Sequence, residues 1–347
     1  MSLPMPSPFR HALVGGMFAL LLGAQPSTAA DAPGYARVPA VVEYDVDPSW
    51  PKRPEQFKPW GAVTGMAVDE KDRIWVLSRC EDPVQVYTAD GTFVRTWGRG
   101  NFDNPHCLRI DHEGNVWISD FGLHIVQKYT PEGRLLFTLG VRGEKGDDGT
   151  HFNRPTDMAI TPTGDVFVTD GYGNRRVVHF DPSGKFIKSW GSYGTGPDQF
   201  VLPHAILVDS QGTLYVGDRN SGRILLFDQS GKPVDQWSNL IMPWGMSITK
   251  GDDVWVCGSS PHWWYRDGKY CEFKDQLLMR FSTDGRVRQV WSIPLGDPKD
   301  PKPGETIGVH AVVQDSQGNL YLGDAYGNRA QKLVPVRTRA GAKSNGG

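Results

Sequence analysis

The stretch HAILVDSQGTLYVGDRNSGRILLFDQSGKPVDQWS, residues 204–238, decides the fold. It contains short segments in which every second residue is apolar, and turns with Gly or Asp separate these segments. Alternation with a period of two residues is typical of β-strands, and Gly and Asp favour the turns between them. The stretch therefore predicts a small antiparallel sheet of four strands.

The same pattern occurs six times along the chain. Each unit passes from an apolar strand through Asp or Thr and a Gly turn to a second strand, and most units close near Trp-Gly or Trp-Ser. The units are Gly65–Gly98, His106–Gly140, Thr156–Gly191, His204–Ser238, Trp244–Ser292 and His310–Val336. A lone sheet of this size cannot bury both faces, whereas sheets stacked around an axis can. The repeats therefore predict an all-β protein, a six-bladed β-propeller, in preference to a solenoid or an open sandwich.

The last unit lacks a fourth strand. The segment VVEYDV (Val41–Val46) alternates apolar and polar residues but belongs to no unit. We predict that it completes the sixth blade as its outer strand and closes the ring.

The N-terminal thirty residues differ in composition from the repeats. They contain Arg10, His11, an apolar run from Ala12 to Ala24 and small residues before Asp31, which is the arrangement of a secretory signal peptide. The alternative is an uncleaved membrane anchor, although the run is short for a membrane-spanning helix. We therefore predict a periplasmic or secreted protein, with no membrane attachment after cleavage. The predicted organisation is a signal peptide at 1–30, a segment supplying the closing strand at 31–60, the propeller at 61–336 and a disordered tail at 337–347.

Charge and cysteine content limit the partners and the cross-links. The net charge is −2 and no basic block occurs, which argues against nucleic acid as a partner and favours a small or peptide-like molecule. The 4 cysteines of an exported chain permit disulfides. Cys257 and Cys271 bracket an insertion in the fifth unit, so we predict that they pair. Cys80 and Cys107 could pair if neighbouring turns meet.

One position of the repeat carries histidine in every second unit. It lies five residues before the Asp or Thr that follows the first strand, and it holds Thr64, His106, Thr156, His204, Trp244 and His310. Equivalent positions surround the axis of a propeller, and alternate blades of six are about 120° apart, so the three imidazoles should converge on one point. Three histidines with an open fourth position suit zinc, and also copper, iron or nickel. The alternative is a polar channel that holds only water.

A second set of polar residues follows the second strand of three units. It consists of Arg79, Arg219 and, one residue further on, Tyr172. Two arginines and a tyrosine beside a metal could bind a carboxylate and move a proton. The alternative is that the arginines pair with carboxylates of the turns.

Four stretches of the repeats resemble a known family. They are NPHCLRIDHEGNVWISD (104–120), RPTDMAI with VFVTDGYGNRRVVHF (within 154–180), LPHAILVDSQGTLYVGDRNSGRILLFD (202–228) and HAVVQDSQGNLYLGDAYGN (310–328). Through them, residues 61–333 resemble the NHL-repeat propeller of the peptidyl-α-hydroxyglycine α-amidating lyases. The resemblance implies a carbon–nitrogen lyase that cleaves an N-(α-hydroxyglycyl) group, or a similar carbinolamide, to an amide and glyoxylate.

The resemblance also implies roles for individual residues. It assigns zinc to the three histidines His106, His204 and His310. It makes Tyr172 the base that accepts the proton of the substrate hydroxyl. Arg79 and Arg219 would hold the substrate carboxylate and the developing charge.

The third histidine departs from the family pattern. The sequence around it is Gly308-Val309-His310-Ala311, where the family usually has Met-Pro-His-Asp. The aspartate that would bind a structural calcium is therefore absent, and the other contacts would be carbonyls near Met66 and Leu108. The sequence gives little support to a calcium ion. An aromatic insertion, PHWWYRDGKYCEF (261–273), either caps the mouth of the propeller or packs as a surface loop.

Three functions are compatible with these features. The first is the zinc-dependent lyase that the resemblance implies. The second is a metal-dependent hydrolase or lyase that uses the same histidine centre on another small substrate. The third is a non-catalytic NHL propeller that binds a ligand or protein on one face.

Overall fold

The computed structural model describes residues 42–57, 59–239, 241–262, 265–266, 269–270 and 275–336. These residues lie in one compact unit, 40–347. The predicted signal peptide, the predicted tail and Cys271 lie outside the described residues.

Six antiparallel sheets of four strands form the blades of a propeller. The strands of blades one to three are Val63–Val68, Ile74–Ser78, Val84–Tyr87 and Phe93–Trp97; Pro105–Ile110, Val116–Asp120, Ile125–Tyr129 and Leu135–Leu139; Asp157–Ile160, Val166–Asp170, Arg176–Phe180 and Phe186–Trp190. Those of blades four to six are Pro203–Val208, Leu214–Asp218, Arg223–Phe227 and Pro233–Ser238; Met242–Ile248, Val254–Ser259, Gln276–Phe281 and Val287–Ile293; Val309–Gln314, Leu320–Asp324, Arg329–Pro335 and Tyr44–Asp47. Two 3-10 helices, Glu55–Phe57 and Arg219–Ser221, and a hairpin of Tyr265–Arg266 with Lys269–Tyr270 complete the described elements.

The blades are arranged in a closed ring. The first strand of every blade contacts the first strand of the next, and the first strand of blade six contacts that of blade one. The first strands therefore surround the axis, as the repeat pattern predicts, and the fold is a six-bladed β-propeller. We call the first strand of each blade its inner strand.

An N-terminal strand supplies the outer edge of blade six. Tyr44–Asp47 pairs antiparallel with Arg329–Pro335, in a register that places Tyr44 opposite Pro335 and Asp47 opposite Lys332. Val41, where the sequence predicted this strand to begin, lies outside the described residues. The last blade is thus built from both ends of the chain's propeller region, and the added strand pairs the otherwise free edge of Arg329–Pro335.

The hydrophobic core lies between neighbouring blades. Six clusters of buried residues occur, and each joins side chains of two adjacent blades. Val63 and Met66 of blade one, for example, pack with Ala311 and Tyr321 of blade six. Full burial of an aliphatic or aromatic side chain contributes about 1.5–3 kcal/mol, so these interfaces stabilise the ring.

The cysteine prediction is wrong in this structure. Cys80, Cys107 and Cys257 are free thiols. Cys257 lies on the central part of blade five, fully buried, with its Sγ 3.5 Å from the Gly245 carbonyl oxygen, so it faces the inner strand rather than the insertion. Cys80 instead contacts the Ser78 hydroxyl at 2.9 Å.

The described residues contain no helix with the length and apolar character needed to cross a membrane.

Candidate metal centre

The three alternating histidines meet on the propeller axis. His106 and His310 lie within the first residues of their inner strands, as does His204. All three are buried, and their ligand nitrogens lie within 4.8 Å of one another. The structure therefore brings together the residues that the repeat pattern selected.

The ring nitrogens of the histidines are oriented by backbone carbonyls. Nδ1 of each histidine contacts the carbonyl oxygen of the equivalent position in the next blade. The distances are 2.7 Å from His106 to Thr156, 2.6 Å from His204 to Trp244 and 2.8 Å from His310 to Thr64. Because a carbonyl oxygen can only accept, each Nδ1 carries the proton and each Nε2 keeps its lone pair. Such a contact is the usual way in which proteins orient a histidine that binds a metal.

Burial keeps these imidazoles neutral. It lowers the pKa of His106 and of His204 well below the usual value. It lowers the pKa of His310 to about 3, and the positive charges of Arg79 and Arg219 act in the same direction. Protons therefore do not compete for the Nε2 lone pairs near neutral pH. Three neutral nitrogens that converge in this way fit a transition-metal ion such as Zn²⁺.

Tyr172 contacts two of the three histidines. Its phenolic oxygen lies 3.0 Å from Nε2 of His106 and 2.9 Å from Nε2 of His204. The side chain projects from the turn after the second strand of blade three. Asp170, fully buried at the end of that strand, holds this turn by accepting from the Asn153 amide and the Asn174 side chain, at 2.8 and 2.7 Å.

Two arginines flank the histidines from blades one and four. The guanidinium carbon of Arg219 lies 5.7 Å from the Tyr172 ring and 5.3 Å from the Trp244 ring. Arg79 lies 5.0 Å from the Phe121 ring, and its Nε donates to the Pro105 carbonyl at 3.2 Å. The site thus presents two cations, a phenol and three neutral imidazoles, a combination suited to an anionic ligand.

The repeat pattern placed Trp244 at the histidine position of blade five, but it gave neither Trp244 nor Phe121 a role in the site. Phe121 packs 5.5 Å from the Tyr172 ring and 5.8 Å from His106, and Trp244 lies 6.2 Å from His310. Phe121 follows the second strand of its blade, like Arg79 and Arg219. The repeat position that Phe121 shares with the two arginines is therefore the signal that could have identified it as a residue of the site.

The residues of the central channel next to the three histidines do not fit a calcium ion. Ala311 offers no carboxylate, and the Arg109 side chain extends into the channel instead. Its Nε donates to Asp157 at 3.0 Å and its Nη1 to the Met246 carbonyl at 2.9 Å. Its Nη2 also donates to the Ile206 carbonyl at 3.4 Å. A guanidinium group already supplies the positive charge that these acceptors require.

The predicted aromatic insertion falls on the same face as the site. Its hairpin, Tyr265–Arg266 with Lys269–Tyr270, lies between the second and third strands of blade five. The turns that carry Tyr172 and the two arginines occupy the corresponding place in their blades. Residues 263–264, 267–268 and 271–273 of the insertion lie outside the described residues, so its role as a cap remains a prediction.

Comparisons with known proteins agree with this architecture. A family model described as a 6-bladed beta-propeller matches residues 152–243. The chain is 32% identical to peptidyl-glycine alpha-amidating monooxygenase of Mus musculus over 318 residues, an alignment that covers 80% of this chain and 31% of the mouse protein. It is 37% identical over 151 residues to peptidyl-alpha-hydroxyglycine alpha-amidating lyase 1 of Drosophila melanogaster, covering 40% of this chain and 28% of the fly protein. It is 29% identical to NHL repeat-containing protein 3 of Homo sapiens, covering 85% of each chain.

This chain is a homologue of these proteins. It spans less than a third of the mouse amidating monooxygenase. Two of the three relatives carry the names of enzymes. The structure adds a six-bladed propeller whose three converging histidines could hold a metal ion.

Proposed function

We propose that this protein is a zinc-dependent carbon–nitrogen lyase that cleaves an N-(α-hydroxyglycyl) group to an amide and glyoxylate. The observation that carries the proposal is the contact of Tyr172 with the histidine cluster. A proton acceptor at this place lies directly beside the point on which the three Nε2 lone pairs converge. A substrate hydroxyl bound there would be within reach of the phenolic oxygen.

The chain's own residues account for the position of the substrate. Arg79 and Arg219 bind its carboxylate by charge-assisted hydrogen bonds. His106, His204 and His310 would hold the zinc ion, which would supply Lewis acidity at the reacting hydroxyl.

The proposed proton transfers balance within the site. The hydroxyl proton passes to the Tyr172 oxygen, the electron pair of that O–H bond forms the carbonyl of glyoxylate, and the C–N bond breaks. Tyr172 then returns the proton to the departing amide nitrogen. No oxidant, reductant or water is consumed.

A non-catalytic propeller is the second candidate. The match to human NHL repeat-containing protein 3 favours it, because the alignment covers most of both chains and the name of this relative states no reaction. In that case the arginines and the metal would hold a small anionic ligand without turnover. A hydrolase or lyase that uses the same centre on another small substrate is a third possibility.

Turnover of α-hydroxyhippurate separates these candidates. We expect the zinc-loaded protein to release glyoxylate and benzamide in equal amounts, and chelation to abolish the release. Binding of the substrate without glyoxylate would favour the non-catalytic propeller. Absence of both binding and turnover in fully zinc-loaded protein would contradict the lyase.

We also propose that the protein acts outside the cytoplasm, on a small or peptide-like substrate. The proposal rests on the signal-peptide pattern of residues 1–30 and on the absence of a basic block. Fractionation of cells that express the full chain tests it. A protein that stays in the cytoplasm and keeps its N-terminal residues would contradict it.

A further inference from the structure

The two threonines at the histidine position each contact both neighbouring blades. Thr64 belongs to blade one and Thr156 to blade three. The carbonyl oxygen of each accepts from Nδ1 of the histidine in the preceding blade, at 2.8 Å for Thr64 and 2.7 Å for Thr156. The hydroxyl of each contacts the following blade, at the residue directly before the next histidine. One threonine therefore lies between two of the proposed metal ligands.

The Thr64 hydroxyl holds the backbone next to His106. Its Oγ1 donates to the carbonyl of Pro105, the residue before His106, at 3.1 Å. Nε of Arg79 donates to the same carbonyl at 3.2 Å. A carbonyl oxygen has two lone pairs, so both contacts can form at once. One carbonyl group thus connects the backbone of a metal ligand to an arginine of the proposed substrate site.

The Thr156 hydroxyl makes the equivalent contact with blade four. Its Oγ1 lies 3.0 Å from the carbonyl oxygen of Pro203, the residue before His204. It also lies 2.8 Å from Oγ1 of Thr169. A hydroxyl has a single proton to donate, and that proton can serve only one acceptor at a time. The hold of Thr156 on Pro203 is therefore weaker than the hold of Thr64 on the residue before its histidine.

Blade five divides the two contacts between two residues. The Trp244 carbonyl accepts from Nδ1 of His204 at 2.6 Å, like the threonine carbonyls. The residue before His310 is Val309, which has an amide proton that the prolines before the other two histidines lack. Oε1 of Gln276, on the third strand of blade five, accepts from that amide at 2.7 Å. Gln276 thus satisfies the donor that valine introduces at this position.

These three side chains lie where water cannot replace them. Thr64, Thr156 and Gln276 are all buried. Removal of one partner of a buried hydrogen bond leaves the other partner without compensation from water. Loss of any of the three side chains would therefore release the backbone directly beside a histidine.

We infer that Thr64, Thr156 and Gln276 are positioning residues of the metal centre. Each holds, from the preceding blade, the backbone beside one histidine, while a carbonyl of the following blade holds Nδ1 of that histidine. The inference rests on the metal-binding role that the proposed function gives to the three histidines. With both the backbone and Nδ1 held, each imidazole can present Nε2 to an ion without rearrangement.

Titration of the full chain with Co²⁺ tests the inference without turnover. Thr64→Val keeps nearly the same shape and removes the donor, whereas Thr64→Ser keeps the donor. Gln276→Met removes the acceptor of the Val309 amide. We expect Thr64→Val and Gln276→Met each to weaken Co²⁺ binding about 3- to 10-fold. The visible absorption bands of bound Co²⁺ should also shift, because they depend on ligand geometry, and Thr64→Ser should restore both properties.

Two matched substitutions remove a buried polar group away from the histidines. Thr161→Val removes a hydroxyl that lies 2.9 Å from Oγ1 of Thr163, just beyond the far end of the inner strand of blade three. Gln127→Met removes an amide on the third strand of blade two that donates to Thr138 at 3.1 Å. Both should lower the thermal stability of the metal-free protein and leave Co²⁺ affinity and spectrum unchanged.

The outcomes separate this inference from the proposed reaction. Unchanged Co²⁺ affinity and spectrum in Thr64→Val and Gln276→Met would overturn it, and so would an equal loss of affinity in the two controls. The two variants lie on different blades, so one still provides the test if the other does not fold. Weakened Co²⁺ binding in both, together with no glyoxylate from α-hydroxyhippurate, would remove the lyase and leave the positioning residues standing.

Discussion

The phenolic oxygen of Tyr172 lies 2.9 Å from Nε2 of His204. The proton of this imidazole is on Nδ1, which donates to the Trp244 carbonyl. Nε2 can therefore only accept, and in the absence of metal the single O–H of Tyr172 can donate either to His204 or to His106, but not to both at once. The same nitrogen is a proposed metal ligand. The proposed proton acceptor and the proposed metal ligand are therefore neighbouring atoms on two different residues. Substitution of Tyr172 and substitution of His204 test the two roles separately.

Tyr172→Phe should abolish most turnover while leaving the metal in place. Loss of a general acid or base typically lowers the rate by about 10²–10⁴-fold. The ring itself is retained, so its packing against Phe121 and the metal content should be unchanged. Glyoxylate release and metal content measured on the same preparation check this. A normal rate in Tyr172→Phe would remove Tyr172 from the proposed mechanism.

Arg109→Met should destabilise the protein strongly. It leaves the Asp157 carboxylate, 2% exposed, without its cation, and breaking a buried pair costs about 3–5 kcal/mol. Arg109→Met combined with Asp157→Leu should recover much of the loss, because no buried charge remains. Denaturant unfolding measures both. Added calcium should leave the melting temperature of the wild type unchanged, since Arg109 occupies the place of a cation.

The stability of the metal-free protein should fall as the pH is lowered from about 6.5. Burial lowers the pKa of His310 to about 3 in the folded protein, so the unfolded chain, with histidine pKa near ~6.5, binds the proton first. The free energy of unfolding should decrease between those two values, by up to about 1.4 kcal/mol per pH unit for this group.

Denaturant titrations of chelator-treated protein at about pH 7 and about pH 5 test this dependence. His310→Gln should reduce the decrease, and substitution of the exposed His112 serves as the matched control. An equal pH dependence in His310→Gln and in the wild type would contradict the assignment.

Cys257 should resist alkylation in the folded protein. Burial raises the pKa of its thiol to about 12, and the thiolate is the reactive form. Mass spectrometry after iodoacetamide treatment should find Cys257 labelled only when the protein is unfolded. Recovery of Cys257 in a disulfide with Cys271 would restore the pairing predicted from the sequence.

The fold and the histidines could be predicted because both are properties of the repeat. A single alignment of the units gives the number of blades and shows histidine in every second unit between Thr64 and His310. The convergence of the three histidines on the axis then follows from six-fold symmetry. The closing strand was visible for the same reason, since blade six was one strand short.

The remaining features could not be predicted because they involve contacts between different repeat positions. Arg109 lies on the inner strand of blade two, but its acceptors belong to blades three, four and five. Trp244 of blade five likewise packs against Tyr326 of blade six, with 5.9 Å between the ring centroids. The cysteine pairing failed because spacing along the chain does not reveal that Cys257 points into the core.

The metal content of the purified full chain tests the central claim most directly. We predict roughly one transition-metal ion per chain, displaced by chelators and largely lost in His204→Ala, which removes one of three ligands. Substitution of the exposed His112 should leave the content unchanged. A wild-type protein that binds no zinc after reconstitution, or a His204→Ala variant with undiminished metal affinity, would contradict a metal centre at His106, His204 and His310.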